Sequence, residues 1–189
     1  MNIIQIGCNN CEDHVFDFVS ANRDSISNFL VIDALPKCIE IATKKYSFLG
    51  DKLIAVQCAV AHENVILKFF YPASDDCSAH ASLLKNHVTS HHHKDLNYFF
   101  VPTLDINTIF NFFFNDVERL YIDIEGLDVV TILNLDFAKN KPKYIEYEFY
   151  HADGTFSYNK NSDKLISLLQ SNNYSLEQSG YNVIAKLNS

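Results

Sequence analysis

Apolar and polar positions along this chain alternate in two different periods, and the change of period marks out its elements. Asn2 to Ile6 is a short, β-branched run stopped by Gly7, the pattern of a buried strand entering a tight turn. From Asp13 to Asn28, Val15, Phe16, Phe18, Val19 and Ile26 follow a helical spacing and predict a helix packed on a sheet. Phe29 to Asp33 predicts a second strand. Pro36 then opens a second helix running to about Tyr46, a placement that suits proline in a first helical turn. Leu53 to Ala61 and Asn64 to Tyr71 read as further strands. Leu104 to Phe114 predicts a helix, Leu120 to Asp123 a strand, Leu127 to Leu135 a helix and Tyr144 to Glu148 a strand. Ser162 to Ser171 carries a helical stripe of Leu165, Ile166, Leu168 and Leu169, and Tyr174 to Glu177 with Val183 to Leu187 form a closing strand pair. No repeat or low-complexity linker interrupts the alternation, which predicts one α/β domain over residues 1–189, a sandwich on a largely parallel sheet.

Residues 72–97 break this pattern. They are polar and contain Asp75-Asp76 and the run His91-His92-His93, with His80 and His87 nearby. A stretch this long without periodicity predicts a loop or lid over a binding pocket, where specificity would reside. Adjacent histidines on a flexible loop seldom converge on one ion, so the expectation is no metal. Phe110, Phe112, Phe113 and Phe114 recur at helical spacing, which predicts core rather than a stacking platform.

The 189 residues are 48% apolar, enough to build a core that offsets the entropy of ordering the chain. The formal net charge of -8 repels phosphate backbones and anionic lipid, so neither nucleic acid nor a membrane surface is the expected partner. No apolar run reaches the roughly 20 residues that cross a bilayer. The odd set Cys8, Cys11, Cys38, Cys58 and Cys77, with no secretion signal ahead of it, predicts free thiols in a reducing cytoplasm.

In open α/β sheets ligands bind beyond the carboxyl ends of the strands, and three such ends carry candidate chemistry. Gly7 to Cys11 follows the first strand, where a glycine admits close approach and helix-start N–H groups can hold an anion. Asp33 ends the second strand; it can accept from ribose hydroxyls, or cap the helix that Pro36 opens. Asp123 to Gly126 ends another core strand and sets two carboxylates beside the same crevice. Cys8-x-x-Cys11 has the local form of a redox pair, but it lacks the second ligand pair that zinc needs.

With these residues in place, the sequence resembles the FkbM-like methyltransferases over nearly its whole length. Ile4-Gln-Ile-Gly-Cys-Asn-Asn-Cys11 is similar to the family's opening loop, Ile-Gly-Ala-Asn-x-Gly. Val31-Ile-Asp-Ala-Leu-Pro36 resembles its second segment and Gln57-Cys-Ala-Val60 its third. The most specific match is Leu120-Tyr-Ile-Asp-Ile-Glu-Gly-Leu-Asp128, similar to the family's Ile-Asp-x-Glu-Gly-x-Asp/Glu hallmark, preceded by Thr103-Leu-Asp105 and followed by Pro142 to Glu148 with His151. Three positions depart from the pattern: Cys11 stands for the usual second glycine, Gln5 for a common acid, and Ala34 for the proline after the acid.

The resemblance implies a Rossmann-like class I methyltransferase sandwich, a mostly parallel seven-stranded sheet with helices on both faces. It implies S-adenosylmethionine as cofactor. Gly7, Asn9 and Asn10 would then line the methionine part, Asp33 would hold the ribose, Gln57 and Cys58 would sit by the adenine and Asp123 by the amine or sulfonium, with Ala34 a further cofactor-binding position. The implied reaction is methyl transfer to a hydroxyl of a sugar, glycan or related metabolite, with Asp123, Glu125 and His151 as catalytic candidates and Glu148 beside them. A fold-sharing module without turnover is the alternative that Cys11 and Ala34 raise. A nicotinamide oxidoreductase is disfavoured by the poor glycine fingerprint after the first strand.

Overall fold

The computed structural model describes residues 1–149 and 160–188. Its main sheet has seven strands: β1 (Asn2–Ile6), β2 (Asn28–Asp33), β3 (Leu53–Gln57), β7 (Arg119–Ile122), β8 (Tyr144–Glu148), β9 (Tyr174–Ser179) and β10 (Asn182–Leu187). Their order is β3-β2-β1-β7-β8-β10-β9. The first five run parallel, and β10 enters antiparallel to both β8 and β9. Between β3 and β7 the chain builds a three-stranded sheet from β4 (Ala59–Val60), β5 (Ile66–Pro72) and β6 (Leu96–Leu104), in the order β4-β6-β5.

Successive strand residues point to opposite faces, so each central strand buries two sets of side chains. Ile4, Ile6, Leu30, Ile32, Leu120 and Ile122 join one cluster with Ile106, Ile109 and Phe110 of α4 (Ile106–Phe112), Val129 and Ile132 of α5 (Asp128–Leu133), and Leu165 and Leu169 of α6 (Lys160–Ser171). Ile3, Phe29, Val31 and Tyr121 join the other, with Val15 and Val19 of α1 (His14–Ala21) and Cys38 and Ala42 of α2 (Pro36–Lys45). The mostly parallel, seven-stranded sandwich with helices on both faces is therefore present.

Several boundaries differ from the sequence pattern for local reasons. The first helix ends at Ala21: the Asn22 N–H makes the last helical bond, to the Phe18 carbonyl, and the Asn22 side-chain amide caps the same oxygen as the backbone leaves helical values at φ -111°. The run from Leu53 splits after Gln57: the Cys58 N–H makes the last bond to β2, to the Asp33 carbonyl at 3.1 Å, and Ala59–Val60 then pairs with β6 instead. The 72–97 stretch holds the short helix α3 (Lys85–Ser90), and Leu96 to Leu104 is one long strand paired antiparallel with β5. Of the aromatic quartet, Phe110 is buried and Phe113 and Phe114 pack partly on the core, but Phe112 is 81% exposed. No helix of the described residues is long and apolar enough to cross a membrane.

Candidate active site

The loops after β1, β2 and β7 lock together before they present anything to a ligand. Gly7 has φ +80°, and a Cβ there would lie 1.7 Å from the Asp123 carbonyl oxygen. The glycine is required first by the protein's own backbone, since Asp123 N–H donates to Ile6 at 2.9 Å while Gly7 N–H donates to Ile32 at 2.8 Å. The chain then turns through Asn9 and Cys11, both at positive φ.

Asp33 holds that turn. Its Oδ2 accepts the N–H groups of Cys8 and Asn9 at 3.0 and 3.2 Å, and its Oδ1 accepts the Leu35 N–H at 2.9 Å. The two loop donors that could have held a ligand anion are therefore spent on Asp33. Asp33 is not the N-cap of α2 either: that position is Leu35, without a side-chain cap, and Pro36 begins the helix with no N–H to satisfy.

The third loop is held in the same way. The buried carboxyl of Asp128 accepts the N–H groups of Ile124 and Gly126 at 3.2 and 3.3 Å. The loop can then pass through left-handed conformations at Glu125 (φ +54°) and Gly126 (φ +105°).

A cavity of ≈ 250 Å³ opens between these loops. Gly7, Asn9, Asn10, Asp33 and Ala34 line it, and so do Cys58, Asp123 and Glu125. Gln57 does not; it is exposed, and its carboxamide donates to the Ala34 carbonyl at 3.3 Å. His151 lies outside the described residues. Pattern reading did not pick out the walls formed by Glu12, Asp13 and Phe69, nor which residues of the polar stretch, Ser78, Ala79, Ala81 and Leu83, would reach the cavity.

The cavity floor is acidic. Asp123 is open to the water of the cavity while protein surrounds its other sides. Burial, reinforced by Glu125, Asp13 and Asp33 and opposed by His14, pushes its carboxyl up to about 7. Burial also raises Asp33, against the pull of its three backbone donors. Glu148, half-buried on β8, is pushed up to about 8 by burial and then by Asp123 and Glu125. Carboxyls this close favour a ligand that brings positive charge. Cys8 offers no competing thiolate chemistry: its hydrogen bond with Cys11, its burial and nearby Asp33 drive the thiol far up.

The profile of the methyltransferase FkbM domain matches residues 2–176. The chain belongs to the FkbM methyltransferase family. Among solved structures, the methyltransferase FkbM from Methylobacillus flagellatus KT superposes with a TM-score of 0.58 at 10% identity, over 98% of this chain and 43% of that one. The fibrillarin pre-rRNA processing protein of Methanococcus jannaschii gives 0.48 at 9% identity, over 98% of this chain and 66% of that one. No curated protein matches the chain. This FkbM-family chain thus spans less than half the length of the Methylobacillus protein, and the likeness shows the Rossmann-like fold.

Two of the three departures from the FkbM pattern have a local account. Gln5 is buried, and its Nε2 donates to Asp13 Oδ2 at 2.9 Å while its Oε1 accepts from the Tyr46 hydroxyl at 3.1 Å. A carboxylate at that position could not donate to Asp13. Cys11 takes the left-handed conformation that a glycine adopts freely (φ +53°), fully buried, at a cost of about 1–2 kcal/mol.

Proposed function

We propose that this chain is an S-adenosylmethionine-dependent O-methyltransferase acting on a hydroxyl of a sugar, glycan or related small metabolite. The observation that carries the reading is the acidic cavity at the carboxyl ends of β1, β2 and β7 in a chain of the FkbM family. Its donor set fits a cationic nucleoside. Asp123 faces the cavity for an ammonium or sulfonium, and Asp33 Oδ1, which accepts only the Leu35 N–H, keeps one lone pair for a ribose hydroxyl. Cys58 and Ala34 offer an apolar edge for a base.

When bound, S-adenosylmethionine supplies a methyl group on a sulfonium, a leaving group that departs as a neutral thioether. The acceptor oxygen must approach that methyl in line, so holding both partners provides much of the rate. As the new O–CH₃ bond forms, the hydroxyl proton passes to a carboxylate. Asp123 and Glu125 line the cavity for this, Glu148 lies near them at the end of β8, and His151 is the remaining candidate. The net charge of -8 supports a small or glycan acceptor rather than a nucleic acid or membrane. The free cysteines support a reducing, cytoplasmic setting.

Calorimetric titration of the purified chain with S-adenosylmethionine and S-adenosylhomocysteine tests the reading. Saturable one-to-one binding, followed by turnover on a glycan hydroxyl panel, is the expected result. No binding at millimolar ligand would replace it with the alternative that Cys11 and Ala34 raise, a fold-sharing module without turnover.

A further inference from the structure

The histidines of the 78–93 stretch are not scattered over a surface loop. His87 and His91 stand four residues apart, one on α3 and one at its end, so they share a face. The His87 side chain is fully buried, and its Nε2 lies 2.7 Å from Glu125 Oε2 and 3.2 Å from His91 Nε2. Donor atoms of all three residues fall within 4.8 Å of one another. Around them, the His80 ring stacks on His91 at 3.9 Å, and its Nδ1 lies 2.9 Å from His93 Nε2.

The backbone is arranged to bring Glu125 there. Glu125 holds φ +54°, a strained conformation for a residue with a side chain. The buried Ser82 hydroxyl donates to the Glu125 carbonyl at 2.9 Å and accepts the Leu84 N–H at 3.0 Å, tying the start of α3 to the same loop. A flexible histidine tract gains convergence only from such outside anchors, and here two elements far apart in sequence supply them.

We propose that His87, His91 and Glu125 bind one divalent transition-metal ion, zinc by donor chemistry, which clasps the 78–93 segment onto the loop that carries Asp123. Two imidazole nitrogens and one carboxylate oxygen suit zinc and its neighbours; magnesium and calcium select oxygen ligands. Two donors each bonded tetrahedrally to zinc at about 2.0–2.1 Å lie about 3.3 Å apart; the His87–His91 separation of 3.2 Å meets that spacing, and His87 and Glu125, hydrogen-bonded at 2.7 Å, would spread to admit the ion. Three protein ligands leave one coordination position for water or another ligand. His80 and His93 act as the surrounding shell that fixes the His91 ring. This inference stands apart from the cofactor: Glu125 borders the cavity, but the ion needs neither S-adenosylmethionine nor an acceptor to bind.

The test uses the full chain, stripped with chelator and titrated with Zn²⁺ alone by calorimetry, with Co²⁺ substitution to read coordination by visible absorption. Expected are one ion per chain, a Co²⁺ spectrum of tetrahedral type, and a melting temperature raised by Zn²⁺. His91→Ala, which empties a half-buried position, should weaken binding by about a hundredfold or more and abolish the thermal shift. Glu125→Gln provides a second probe that leaves the buried His87 in place. The thiols of Cys38 and Cys77 lie 2.9 Å apart and are the rival zinc ligands. Cys77→Ser should leave Zn²⁺ affinity unchanged. No ion bound by the wild type, or affinity kept in folded His91→Ala and lost in Cys77→Ser, overturns the proposal.

Discussion

Gly7 and Asp123 touch through their backbones: a methyl group on Gly7 would fall 1.7 Å from the Asp123 carbonyl oxygen. The two most characteristic segments of the chain, the first loop and the Asp123–Gly126 loop, are thus a single packed unit. Gly7→Ala must both push β7 away and strain a residue at φ +80°, so we expect a loss of about 3 kcal/mol of stability together with loss of cofactor binding. Thermal melts and titration calorimetry on the variant would check this. Wild-type stability with wild-type affinity would mean that the loops are not in contact.

Asp33→Ala separates two roles of one carboxyl. Removing it leaves the N–H groups of Cys8, Asn9 and Leu35 without their acceptor, so stability should fall by about 1–3 kcal/mol before any ligand is added. Affinity for S-adenosylmethionine should fall by a further 1–3 kcal/mol or about that. Denaturant titrations with and without ligand distinguish the two effects, and an unchanged midpoint in the ligand-free protein would remove the loop-pinning role.

Gln5→Glu asks whether the departure from the usual acid is compensated by Asp13. The new carboxyl would face Asp13 across 2.9 Å inside the protein and should cost about 2–4 kcal/mol near pH 7. A urea midpoint equal to that of the wild type would show that the amide does not donate to Asp13.

The buried Glu146 makes acid stability readable. Burial works to raise its carboxyl, yet hydrogen bonds from His14, Tyr144 and Asn182 outweigh it and hold the group at about 2 instead of 4.5. The contribution is therefore fully present above about pH 4.5 and is lost as pH falls toward 2, up to about 3 kcal/mol. His14 shifts the other way: its hydrogen bond to Glu146 raises it above 6.5, so its share is complete below pH 6.5 and fades as pH rises through the raised value. Urea midpoints measured from pH 6 to pH 3 should converge for wild type and Glu146→Gln as the pH drops. Parallel curves would contradict the assignment.

Period and punctuation along the chain were enough to reveal the frame. Phe29–Ile32 of β2 and Leu120–Ile122 of β7 are continuous apolar runs because both faces of a parallel sheet are covered, β1 and β8 are apolar but for Asn2 and Gln5 and for Glu146 and Glu148, and Gly7, Pro36 and Gly126 mark where the elements change. Such signals are local, and the residues that carry them need no partner to be read. The ends of β1, β2 and β7 were legible as ligand-facing for the same reason. What could not be read there was what each side chain bonds. Asp33 spends its oxygens on Cys8, Asn9 and Leu35, and Gln57 turns away from the cavity.

Only the tertiary structure decided the histidines. In sequence they are a polar tract, and adjacent residues on an extended chain point apart. They converge because α3 places His87 and His91 on one face and because Glu125 arrives from a loop 38 residues away from His87. Long-range meetings of this kind leave no periodicity. They arise from packing α3 and the β7–α5 loop against each other, a free energy spread over many residues and written in none of them singly.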